Sequence, residues 1–131
     1  MDMRSCAVII EDGKILLMYR IKNWKEYFTL PWWWVEENEN PTQTAIREVK
    51  EETTLDIQIE KELFHFENDF DHRMHYVYLA KDIRGTATLS WPEWEISSKN
   101  NFYMPQRHPL QGIQNLNIIP KYLKENLQRA L

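Results

Sequence analysis

Apolar and polar positions alternate or cluster in short segments that predict β-strands. Segments 6–10 and 14–19 are apolar and β-prone, and Glu11-Asp12-Gly13 joins them. Asp-Gly between two such segments is typical of a hairpin turn, because both residues tolerate positive φ. Segments 55–66 and 74–81 are also predicted strands, since the first alternates and the second is rich in aromatic and β-branched residues. We therefore expect an opening hairpin and two further strands near the middle of the chain.

Capping residues and helical spacing predict two helices. Asn40 is placed as an N-cap, with proline at the first helical position and Gln43 placed to complete a capping box. This helix is expected to run to about Thr53. After Pro120, leucines at helical spacing predict a terminal helix packed on the sheet. The order of hairpin, helix, strands and helix predicts an α/β or α+β sandwich in a single domain over residues 1–131.

The first predicted helix has two distinct faces. At about 100° per residue, one flank gathers apolar and threonine side chains and should face the core. Its members are Thr42, Ala45, Ile46, Val49 and Thr53. Glu48, Glu51 and Glu52 cluster on an adjoining flank, where like charges repel by about 0.2 to 0.5 kcal/mol per pair. A hard divalent cation such as Mg²⁺ or Mn²⁺ would offset this repulsion, because such ions take carboxylate oxygens as ligands.

A charged motif at fixed spacing carries the clearest indication of function. The motif begins at Glu39 and continues, after seven further residues, with Arg47-Glu48-Val49-Lys50-Glu51-Glu52. Leu55 follows it. The motif resembles the signature box of the Nudix (MutT-like) hydrolases, which reads Gly, five residues, Glu, seven residues, Arg-Glu, an aliphatic, any residue, Glu-Glu, any residue, Gly, an aliphatic. Five charged positions at this spacing would arise by chance about once in 10⁴ chains of this length. Asp12-Gly13, Leu30-Pro31 and residues 117–120 extend the resemblance over most of the chain.

The resemblance implies a Nudix-like α/β/α sandwich with a mixed sheet and a glutamate-rich catalytic helix. It implies that Glu51 and Glu52 are metal ligands and that Glu48 is a ligand or the base that activates the attacking water. Arg47 would orient the glutamates, and Glu39 would hold Arg47. The implied cofactor is Mg²⁺ or Mn²⁺, which can orient water, shield the pyrophosphate charge and stabilise the leaving oxygen.

Both glycines of the box are replaced in this chain, by Trp33 and Thr54. The resemblance implies that the backbone carbonyl oxygen of Trp33 is a further metal ligand, and Trp33 is also a candidate for substrate contact. A left-handed conformation at Thr54, after the predicted helix, would strain a β-branched residue by roughly 1 to 2 kcal/mol or force a different exit. The indoles of Trp32, Trp33 and Trp34 could stack on a base, plug the site or contact another chain.

Composition and charge narrow the range of partners. The chain has six tryptophans but three glycines, and its formal net charge is −4. A nucleic-acid polymer requires a clustered basic surface, so we expect none as partner. A single cysteine excludes an internal disulfide, and no apolar run approaches the roughly 20 residues of a membrane span. The sequence therefore predicts a soluble cytoplasmic protein without a membrane partner, and exposed indoles would favour a homo-oligomer.

Several residues outside the box are weaker candidates. Arg20, at the end of the second predicted strand, could bind a substrate phosphate. Glu93 and Glu95 could supply an additional carboxylate for base catalysis. Three histidines are interpreted as solvent-facing residues rather than zinc ligands, because no cysteines accompany them. These are His65, His72 and His75.

The predicted function is metal-dependent hydrolysis of the pyrophosphate bond in a nucleoside diphosphate linked to another moiety, a substrate of the nucleotide or nucleotide-sugar type. The alternative is a catalytically impaired Nudix-fold binding module, in which residues 32–34 contact a ligand or a protein. Turnover of a small-molecule substrate separates these two hypotheses.

Overall fold

The computed structural model describes residues 3–68, 71–85 and 101–131, with the side chains of residues 52 and 101–103 left out of the description. Chain contacts divide the protein into two units, Met1–Ile9 with Pro31–Ser90 and Ile10–Leu30 with Trp91–Leu131. In chain order the elements are β1 (Met3–Val8), β2 (Ile10–Glu11), β3 (Lys14–Lys22), β4 (Lys25–Thr29), β5 (Trp32–Trp34), α1 (Pro41–Thr53), β6 (Asp56–Glu67), β7 (Met74–Arg84), β8 (Asn101–Pro109), a 3₁₀ segment (Leu110–Asn115) and α2 (Lys121–Ala130).

The first unit is built on a four-stranded sheet in the order β5-β1-β7-β6. β1 pairs in parallel with β7 and antiparallel with β5, while β6 pairs antiparallel with β7. Ala7 and Val8 of β1 are fully buried, as expected for a strand with neighbours on both sides. The combination of parallel and antiparallel pairs confirms the predicted mixed sheet.

α1 begins and ends where the sequence predicts. Asn40 is its N-cap, and the capping box with Gln43 is present. Ala45 and Val49 are buried, so the predicted apolar flank faces the core. The hydroxyl of Ser5 in β1 donates a hydrogen bond to the carbonyl oxygen of Pro41 at 2.7 Å. This bond ties the start of α1 to the central part of the sheet.

The second unit is organised around β3. β8 pairs antiparallel with β3 along its whole length, and β2 and β4 pair with different parts of it. Leu123 and Leu127 of α2 are buried, which confirms the apolar face of the predicted terminal helix. Among the described residues, neither helix is long and apolar enough to cross a membrane.

The predicted opening hairpin is only partly correct. Asp12 and Gly13 have φ values of 53° and 74° and form the expected turn, which joins β2 to β3. Residues 6–8 belong instead to β1 in the other unit, where β7 is their partner. β1 and β7 are far apart in the sequence, and their pairing leaves no local signal. The hydrophobic pattern alone therefore assigns residues 6–8 to the hairpin.

A second hairpin was missed in the sequence. The sequence pattern predicts no strand between residue 19 and the first helix, but Lys25–Thr29 form β4, which pairs with β3 across a turn at Asn23 and Trp24. Both turn residues have positive φ, at 53° and 64°. Trp24 occupies a position where glycine is usual, and this substitution hid the turn.

Thr54 ends α1 in a strained conformation and yields a first prediction. Its φ of 62° and ψ of 6° are left-handed, which is unfavourable for a β-branched residue. We expect Thr54→Gly to raise the free energy of unfolding by roughly 0.5 to 1 kcal/mol, because relief of strain exceeds the added entropy of the unfolded chain. Urea denaturation measures the change. Thr54→Ala, which retains a Cβ, is the matched control, and an equal gain for Ala and Gly would contradict backbone strain as the cause.

Candidate active site

Arg47 is the centre of an acidic cluster on α1. Its Nε donates to Oε2 of Glu39 at 2.7 Å, and its Nη2 donates to Oε1 of the same carboxylate at 3.1 Å. Glu39 precedes α1 and Arg47 lies within it, so this two-point contact links the loop before the helix to the helix itself. The bidentate geometry fixes the plane of the guanidinium as well as its position.

The remaining terminal nitrogen of Arg47, Nη1, contacts two glutamates of the helix. Nη1 donates to Oε1 of Glu48 at 2.8 Å and lies 3.3 Å from each carboxylate oxygen of Glu51. The Glu48 side chain is 18% exposed, whereas that of Glu51 is 56% exposed. Three carboxylates therefore share one guanidinium, and the structure brings together four of the residues that the sequence predicted for this site.

The electrostatics of the cluster keep Glu39 and Arg47 charged. Hydrogen bonds from Arg47 and then from Thr44 lower the pKa of Glu39 to about 2. The same bond with Glu39 raises the pKa of Arg47 above its ordinary value. Sequence reasoning missed Thr44, whose only signal is its position five residues after Glu39 in the chain.

The site residue Trp33 lies in β5, opposite Ser5 of β1. Residues in register on neighbouring strands point to the same face of a sheet, so the Trp33 indole lies on the face that carries α1. It is buried, with 8% of its surface exposed. Val35 N–H donates to the carbonyl oxygen of Met3 at 3.1 Å. Because hydrogen-bonded pairs alternate along an antiparallel ladder, the Trp33 carbonyl faces β1.

The other two indoles of the triplet lie on the opposite face of the sheet. The guanidinium of Arg4 stacks 3.9 Å from the Trp32 ring centroid and 4.2 Å from that of Trp34. Arg73 lies 4.4 Å from the Trp34 ring. Trp34 is 38% exposed. Cation–π contacts with arginine thus cover part of the apolar area that the sequence predicted at this strand.

Other predicted site residues belong to the second unit or lie outside the described residues. Arg20 is in β3, within the second unit, where its guanidinium lies 5.9 Å from the Tyr27 ring centroid. Glu52 belongs to α1, but its side chain is outside the described residues, as are Glu93 and Glu95 altogether. Within the described part of the chain, no three His, Cys, Asp or Glu side chains are grouped closely enough to hold a metal ion.

The prediction for the histidines is wrong at one position. His65 and His72 are exposed, as expected, but His75 in β7 is only 5% exposed. Its ring centroid lies 5.0 Å from that of Phe66, and its buried Nε2 has no hydrogen-bond partner among the described residues. Burial, reinforced by the positive charge of Arg4, lowers the pKa of His75 to about 4.

The buried His75 predicts a dependence of stability on pH. The unfolded chain protonates this histidine near pH 6.5 and the folded chain near pH 4, so the free energy of unfolding falls as the pH drops between these values. His75→Phe removes this contribution, so the difference in stability between variant and wild type changes by roughly 3 kcal/mol over the interval. Urea denaturation at a series of pH values measures it. Parallel curves for the two proteins would contradict the assignment.

Comparisons with known proteins identify the family and the fold of the chain. The sequence profile of the NUDIX domain matches residues 1–113. No curated protein sequence matches the chain. Among solved structures, a MutT NUDIX hydrolase from Burkholderia pseudomallei has 19% identity and a TM-score of 0.74, covering 99% of this chain and 98% of that one. A MutT protein from Methanosarcina mazei Go1 has 19% identity and a TM-score of 0.70, covering 98% and 91%.

A third structure, a UDP-X diphosphatase, has 22% identity and a TM-score of 0.65, covering 98% of this chain and 61% of that one. These likenesses establish the shared fold, and the profile match spans most of the sequence. The chain therefore belongs to the NUDIX domain family of pyrophosphohydrolases, enzymes that generally use divalent metal ions.

Proposed function

We propose that this protein hydrolyses the pyrophosphate bond of a nucleoside diphosphate linked to another moiety, with Mg²⁺ or Mn²⁺ as cofactor. The observation that carries the proposal is the convergence of the Glu39, Glu48 and Glu51 carboxylates on the guanidinium of Arg47. Organised carboxylates of this kind offer the hard oxygen ligands that Mg²⁺ and Mn²⁺ prefer. The arrangement therefore fits a metal-dependent hydrolase.

The ligands we propose for the metal are the carboxylates of Glu48, Glu51 and Glu52, together with the carbonyl oxygen of Trp33. Glu48 and Glu51 already lie within reach of one nitrogen atom, Nη1 of Arg47, so their oxygens can share one cation. When bound, the divalent ion supplies charge that neutralises the pyrophosphate and the leaving oxygen. The four groups fit the oxygen-rich ligand set of such an ion.

Arg47 and Glu48 have separate roles in this proposal. Arg47 orients Glu48 and Glu51 through Nη1, while Glu39 holds the other edge of the guanidinium. Glu48 is the more buried of the two helix glutamates and serves as the proton acceptor for the attacking water. Its side chain is held at 2.8 Å by a charged donor, which limits its motion during the reaction.

The substrate class rests on chemical and comparative support. A chain with a net charge of −4 needs a cation at the site to attract an anionic diphosphate. One of the structural neighbours is named as a diphosphatase of UDP-X compounds, which contain a nucleoside diphosphate linked to a second group. We propose Arg20 as a phosphate ligand and Trp33 as a further substrate contact.

Turnover of a substrate panel tests the proposal. We expect release of mononucleotide from at least one nucleoside diphosphate linked to a sugar, a nucleotide or a phosphate. Glu48→Gln should lower kcat by about 100-fold or more, because it removes the proton acceptor. Glu60→Gln, at an exposed position of β6, is the matched control and should retain wild-type kcat. If the wild type cleaves no member of the panel but binds one, the protein is the binding module instead.

Removal of metal gives an independent prediction. Chelation with EDTA should abolish turnover, and added Mg²⁺ or Mn²⁺ should restore it. The metal should also raise the melting temperature of the wild type, because it binds the folded chain preferentially. Glu51→Gln should reduce this shift, whereas Glu60→Gln should not. Equal metal-induced shifts in all three proteins would place the ion elsewhere.

A further inference from the structure

The hydroxyl of Thr44 makes its shorter hydrogen bond to a carboxylate, and not to the helix backbone as a helical threonine ordinarily does. Such hydroxyls commonly donate to the carbonyl oxygen four residues earlier, and Thr53 does so in this helix, with Oγ1 2.6 Å from the oxygen of Val49. Oγ1 of Thr44 instead lies 2.8 Å from Oε1 of Glu39 and 3.3 Å from the carbonyl oxygen of Asn40. Its single proton goes to the nearer acceptor, which is also charged.

This bond gives the Glu39 carboxylate an anchor on the helix itself. Oε1 accepts from both Thr44 and Arg47, and Oε2 accepts from Arg47, while the backbone N–H of Glu36 also interacts with this carboxylate. Arg47 is a long side chain that moves unless it is held, whereas Thr44 is fully buried and stiff at χ1. Among the side-chain donors to Glu39, the hydroxyl is therefore more fixed than the two nitrogens of Arg47.

We propose that Thr44 is a positioning residue for the hydrolytic site, acting through Glu39 and Arg47 on Glu48 and Glu51. The inference rests on the proposed function of these glutamates. Without the hydroxyl, Oε1 of Glu39 loses its more fixed side-chain donor, so the carboxylate and the guanidinium can shift together and Nη1 loses its fixed direction. Because Thr44 is buried within the unit, its loss disturbs the orientation of reacting groups rather than the binding of substrate.

Three variants separate the hydroxyl from the volume of the side chain. Thr44→Val removes the hydroxyl, and we expect kcat to fall about tenfold while KM stays within about twofold. Thr44→Ser retains the hydroxyl and should restore most of kcat. Thr42→Val is the matched control, because Thr42 donates only to the N-cap side chain of Asn40, at 2.6 Å, among the hydrogen bonds described for it. Thr44→Ala replaces Thr44→Val if the latter folds poorly.

A double-mutant cycle tests whether Thr44 acts through Glu39. If it does, adding Thr44→Val to Glu39→Gln should lower kcat no further than Glu39→Gln alone. Independent, multiplicative losses would overturn the proposal, because they would show an effect of Thr44 that bypasses Glu39. A wild-type kcat in Thr44→Val would overturn it as well.

A measurement without turnover keeps this inference separable from the proposed function. The Nε–H of Arg47 is bonded to Glu39 at 2.7 Å, so it should give a distinct, slowly exchanging NMR signal. Thr44→Val should broaden or shift this signal, and Thr44→Ser should preserve it. If the wild type shows no turnover, the proposed function fails while this comparison still decides the role of Thr44. An unchanged Arg47 signal in Thr44→Val would reject positioning.

Discussion

The competition of three carboxylates for one guanidinium determines the shape of the acidic site. Glu48 and Glu51 are one helical turn apart and would repel each other without a shared cation. Arg47 supplies that cation from within the same helix, yet a flexible arginine alone would not fix their directions. Glu39 removes that freedom by taking two of its nitrogens at once. The geometry of the helix glutamates therefore depends on a residue outside the helix.

The two missing glycines of the box have different physical consequences. At the first position the chain is an extended edge strand, because Trp32–Trp34 pair with β1 in regular register. Extended backbone accepts any side chain, so tryptophan carries no backbone strain there. At the second position Thr54 has a φ of 62°, in the region that favours glycine. The end of α1 thus still requires the left-handed backbone conformation that favours glycine, and Thr54 adopts it with strain.

Apart from the β3–β4 turn and the contact of Thr44 with Glu39, features encoded within a few residues were predictable from the sequence, and those that depend on distant contacts were not. The limits of α1 follow from Asn40 and Gln43, which act on the backbone next to them. The parallel pairing of β1 with β7 joins segments about 70 residues apart in the chain and has no local signature. The burial of His75 follows from that pairing, since β7 lies between β1 and β6. The role of Thr44 was not predictable, because a hydrogen bond from a threonine to a carboxylate leaves no periodic pattern in the sequence.

The two faces of the central sheet separate the triplet of tryptophans into two roles. Ser5 and Trp33 are in register, and Ser5 binds the start of α1, so Trp33 shares the face of the acidic helix. Arg4 stacks on Trp32 and Trp34, which places these two indoles on the other face. The sheet therefore separates the indoles of Trp32 and Trp34 from the carboxylates of the acidic cluster. Of the three indoles, Trp33 alone shares the face of the acidic helix, and it lies there as a packed, buried side chain.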